Sequence, residues 1–80
     1  MRDHLTILNE IEQYLAGHGL TDDLQSLQEE VQASATGGEL CSRAGTWLLT
    51  FQVYSEYDQT VQDLINEFIV YCHSNGIYPG

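Results

Sequence analysis

Eighty residues limit this chain to one domain, with a core too small to leave room for a deep substrate cleft. Twelve Asp and Glu stand against two Arg, Arg2 and Arg43, and no Lys, for a net charge of −10. That balance repels phosphate backbones and anionic lipid headgroups, so neither nucleic acid nor a membrane surface is an expected partner.

Leu, Ile, Val and Phe still supply about a quarter of the residues. That is above the ~20% at which high charge keeps a chain disordered, so a single folded domain over residues 1–80 is expected. No run approaches the ~18 apolar residues of a spanning helix. Met1-Arg2-Asp3-His4-Leu5 lacks an apolar signal core, which predicts a cytoplasmic chain.

Residues 3–17 read as the first helix. Leu5, Leu8, Ile11 and Leu15 recur at steps of three and four, with Ile7 and Tyr14 off that line. Asp3 suits the N-cap, and Gly17 and Gly19 suit the stop, because glycine adopts the left-handed conformation that closes a helix. A second helix opens at Leu20-Thr21-Asp22-Asp23, with Thr21 as cap, two carboxylates at the positive end of the helix dipole, and Leu20 able to staple the entry. Its inner stripe is Leu24, Leu27, Val31 and Ala35, and the small residues 33–38 read as its end and a loop.

A third helix is predicted over about 38–53 on Leu40, Ala44, Trp47 or Leu48, and Phe51. Gly45 counts against it, since glycine inside a helix is destabilising. The run Trp47–Tyr54 would also suit a strand, but no second strand exists to pair with it. Ser55 or Asp58 can cap a fourth helix over about 58–75, with Val61, Leu64, Ile65, Phe68, Ile69 and Cys72 inward. Asn75-Gly76 then stops it, and residues 77–80 form a tail. The expected architecture is all-α, a compact bundle of about four antiparallel helices.

Catalytic and cofactor chemistry find little support. Cys41 and Cys72 read as buried small hydrophobes, and a disulfide is not expected in a reducing cytosol. His4, His18 and His73 include no pair at helical ligand spacing, so no metal or cofactor is expected. Gly17-His18-Gly19 and Gly37-Gly38 lack the remainder of a nucleotide-binding loop and read as helix stops. Asp22-Asp23, Glu29-Glu30 and Glu56/Asp58 are too splayed to share a proton and read first as a solvated acidic face. The functional alternative is a binding surface of Asp22, Asp23, Glu29, Glu30, Glu39, Glu56 and Asp58 with Tyr54 and Tyr57. Tyrosines offer desolvated contact area, and the acids steer a basic protein partner. The tyrosines could equally cap the core.

In layout, Thr21-Asp22-Asp23-Leu24, Gly37-Gly38-Glu39-Leu40, Tyr54-Ser55-Glu56-Tyr57-Asp58 and the run from Val61 resemble the small acidic helical immunity proteins of bacterial toxin–immunity systems, including contact-dependent and polymorphic toxins. The chain is similar in size and charge to the nuclease-colicin immunity proteins. It lacks their Tyr-Tyr-Pro segment, so their toxin-binding residues are not carried over. The resemblance implies a non-enzymatic inhibitor that masks a basic toxin domain such as a nuclease. A self-associating interaction module, suggested by Val53, Val70, Tyr71, Ile77 and Tyr78 lying off the main stripes, is the competing expectation, and a DNA mimic that captures a host DNA-binding protein is a third. Monomer and dimer are both open.

Overall fold

The apolar spacing produces four helices: α1 (His4–Gly17), α2 (Thr21–Ala33), α3 (Gly37–Tyr54) and α4 (Gln59–Ser74). The computed structural model describes residues 2–54 and 59–79, and the side chains of Val53 and Tyr54 lie outside that description. The expected Ser55 or Asp58 cap therefore falls outside the described residues.

Each helix packs on the next, and α4 returns to α1, which closes the ring. Cross-helix contacts show the antiparallel order. Trp47 meets Ser26 while Arg43 meets Glu30, and Cys41 meets Cys72 while Gln52 meets Asn66. His4 at the start of α1 lies against Tyr71 near the end of α4, with ring centroids 4.9 Å apart. The bundle measures 32 × 24 × 21 Å.

The core is apolar throughout the described residues. Ile7, Leu8, Ile11 and Leu15 enter it from α1, and Leu27 enters from α2. Leu40, Cys41, Ala44, Leu48 and Phe51 come from α3, and Val61, Ile65, Phe68 and Cys72 from α4. The α1 stripe differs from the sequence expectation at one position. Ile7 is fully buried, whereas Leu5 is 58% exposed. The line through Ile7, Ile11 and Leu15 faces both α2 and α4, and a residue at position 5 falls beyond its edge. Ala35, expected inside, is exposed in the α2–α3 connection.

Caps set the helix limits. Asp3 accepts hydrogen bonds from the amides of Leu5 and Thr6 at 2.8 and 2.9 Å, which holds its carboxyl below the ordinary range. Thr21 is not a cap but the first residue of α2. Leu20 occupies the cap position, without a side-chain bond. The end of α1 dictates this. Gly19, with φ +70°, closes α1, and the Leu20 amide reaches back to the Leu15 carbonyl at 2.9 Å. Leu20 must then lay its side chain on the core, so α2 starts with no residue to spare for a polar cap.

α4 ends in the same way. Gly76 has φ +76°, and the Ile77 amide bonds the Cys72 carbonyl at 2.9 Å while Ile77 packs on the core. The tail then folds back along α3. A methyl group placed on Gly45 would lie 2.5 Å from Pro79 Cγ. Gly45 is thus the seat of the chain's only proline, which accounts for a glycine inside a helix that would otherwise favour alanine.

α2 is the most lightly anchored helix, since Leu27 is its one fully buried side chain. Leu27→Ala is expected to cost about 2–5 kcal/mol, read as a lower urea midpoint, with amides of α2 exchanging ahead of those in α4. Asp3→Ala is expected to lower stability at pH 7 but not well below pH 3. A depressed carboxyl contributes above its unfolded value and loses that contribution as pH falls through its folded one. Parallel urea titrations at the two pH values check this.

Candidate acidic surface

The α2 helix carries most of the predicted acidic residues that the structure describes. Asp22 and Asp23 occupy its first turn, with Asp22 exposed and Asp23 half-buried. Glu29 is exposed, and Glu30 is half-buried on the flank toward α3, where Arg43 Nε binds its Oε2 at 3.1 Å. Trp47 shares that flank. Its indole N–H donates to Ser26 Oγ at 3.0 Å, and its ring stacks on Phe51 at 5.1 Å.

Glu39 belongs elsewhere. It sits in the first turn of α3, where the Ala35 amide donates to its Oε2 at 2.9 Å while its own amide donates to Thr36 Oγ1 at 3.1 Å. This reciprocal arrangement is a variant of the capping box, signalled by the Thr36-Gly37-Gly38-Glu39 spacing. Glu39 therefore serves the fold, at the opposite end of α2 from Asp22 and about 20 Å along that helix. The sequence set does not converge on one point. Tyr54 ends α3, its side chain undescribed, and Glu56, Tyr57 and Asp58 lie outside the described residues. Antiparallel order places the ends of α3 and α4 that flank this junction beside the α1–α2 turn, near Asp22 and Asp23. The described aromatic pair at that turn is Tyr14 and His18, stacked at 4.0 Å.

Both arginines are engaged. Arg2 Nε binds Glu67 at 2.8 Å, and its terminal nitrogens reach Glu67 and Glu10, so one guanidinium ties α1 to α4. That contact holds Glu67 below the ordinary carboxylate range and raises the already high guanidinium value. Local spacing does not announce this pairing, because Arg2 and Glu67 lie 65 positions apart. Among the described residues no ion pair engages Asp22, Asp23 or Glu29.

Other chemistry is sparse. Among the described residues no cluster of His, Cys, Asp and Glu could hold a metal, and no helix is long and apolar enough to cross a membrane. An open hollow of about 270 Å³ lies where His4, Leu5, Val31, Thr36 and Leu40 meet, at the end of the bundle away from Asp22. His4 Nδ1 is buried there without a hydrogen-bond partner. Comparison with protein-family models, curated proteins and solved structures finds no match.

Replacing Arg2 with alanine is expected to move the Glu67 carboxyl up toward its ordinary range and to lower the urea midpoint at neutral pH. Carboxyl carbon NMR across an acid titration reads the first effect directly.

Proposed function

We propose that this chain is a cytoplasmic inhibitor, the immunity partner of a basic toxin domain such as a nuclease. It would act by masking that domain with carboxylates rather than by catalysis. The supporting observation is the distribution of charge. Arg2 and Arg43 are both taken up in ion pairs within the bundle, while exposed Asp22 and Glu29 and half-buried Asp23 on α2 have no ion-pair partner among the described residues. Such a surface raises the encounter rate with a basic partner and repels acidic ones. Trp47 on the α2–α3 flank supplies an aromatic anchor beside these acids.

A second reading has its own support. Leu5, Val70 and Tyr78 are 58%, 53% and 74% exposed, as apolar contacts between two copies of the chain would require. Salt separates the two readings. Screening weakens an acidic–basic encounter and leaves apolar self-association nearly unchanged.

The test is capture of a basic protein from the native host with the tagged chain, followed by assay of the captured protein's toxic activity with and without stoichiometric inhibitor. Inhibition is expected. Combined Asp22→Asn, Asp23→Asn and Glu29→Gln substitutions should slow association about tenfold or more at low salt, and Glu29→Gln alone, outside the first turn of α2, should slow it with little change in thermal midpoint. A salt-insensitive dimer that captures no basic protein removes the inhibitor reading in favour of self-association.

A further inference from the structure

Cys41 and Cys72 are 31 positions apart in sequence and neighbours in space. Cys41 lies in the first turns of α3 and Cys72 in the last turn of α4, and antiparallel packing brings these turns together. Both side chains are essentially fully buried and both are free thiols. The Cys72 thiol donates to the Cys41 carbonyl oxygen at 3.7 Å. Burial, and next to it the Cys41 thiol, push the Cys72 thiol up to about 12, so almost no thiolate exists in the folded chain at neutral pH.

From this juxtaposition we infer that Cys41 and Cys72 form a latent dithiol, inert while the bundle is closed and able to become a disulfide between α3 and α4 when the chain folds in the presence of a small-molecule disulfide. The chemistry balances by exchange. One cysteine thiolate attacks the reagent disulfide and releases one reagent thiol. The second cysteine thiolate attacks that mixed disulfide and releases the other. The protein pair loses two protons and two electrons, and the reagent gains them as two thiols. The rate-limiting requirement is exposure, since a thiol with no thiolate character and no access to solvent does not exchange. Oxidation therefore takes place during folding or after opening of the α3–α4 seam. The bridge encloses the junction between those helices and narrows the unfolded ensemble accordingly. The inference stands independently of the inhibitor reading.

The chain carries its own assay. Its two arginines are Arg2 and Arg43, so trypsin separates residues 3–43, holding Cys41, from residues 44–80, holding Cys72. The full chain is denatured, reduced, and refolded at low concentration in mixed reduced and oxidised glutathione. It is then alkylated, digested and weighed. The expected result is a monomer lacking two hydrogens, whose tryptic halves stay linked until reduced and whose thermal midpoint exceeds that of the reduced chain by about 5 °C or more. The folded reduced chain should react with a thiol reagent only slowly, and faster as denaturant opens it. Unlinked halves, a bridge between two copies, or a linked chain that melts below the reduced one overturns the proposal. Rapid labelling of the folded chain without denaturant overturns it too.

Discussion

The whole bundle depends on the seam that α4 makes with α1. The first three helices can dock in turn through short connections, each on its sequence neighbour. The ring closes only when Val61, Ile65, Phe68 and Cys72 of the last helix meet Ile7, Leu8, Ile11 and Leu15 of the first. Phe68 is the largest fully buried side chain among the described residues. Burial of that kind contributes about 1.5–3 kcal/mol for each large apolar residue, whereas exposed ion pairs contribute little. Arg2 lies across the outside of the same seam, paired with Glu10 of α1 and Glu67 of α4.

The composition of the core explains where the charge goes. No polar or charged residue is buried among the described residues, so every described carboxylate is at or near the surface, and two guanidiniums cannot offset twelve acids. Arg2 sits over α1 and α4, and Arg43 sits between α2 and α3. Both cations reinforce packing seams, which leaves Asp22 and Glu29 without an ion-pair partner among the described residues, set among the glutamines and other neutral residues exposed on α2. That helix is also the one held by a single fully buried residue, Leu27.

Two glycines in left-handed conformation end α1 and α4, and in each case the next residue, Leu20 or Ile77, turns its side chain back onto the core. The consequences differ. After Leu20 the chain enters α2 at once. After Ile77 it runs on to Pro79, which rests on Gly45 and covers part of α3 beside α4. The buried thiols of Cys41 and Cys72 join the same two helices deeper in the core, so the α3–α4 seam is secured from within and from without.

Helical content, element limits to within a residue or two, the Asp3 cap and the α4 stripe were all legible in the sequence, because they follow from local spacing and from hydrogen bonds between near neighbours. The swap of Leu5 for Ile7 was not, since which side of a helix faces inward depends on two neighbouring helices at once. Thr21 looked like a cap, but the preceding turn needed Leu20 there first. Gly37-Gly38 read as a helix stop, but they open α3 behind the Thr36–Glu39 cap, which recasts Glu39 as part of the fold rather than of the acidic surface. Charge and the scarcity of cations came from composition alone. Which acids remain unopposed, where Pro79 rests, and that two cysteines 31 positions apart touch were decided only by tertiary packing, because contacts between distant segments leave no periodic trace in a single sequence.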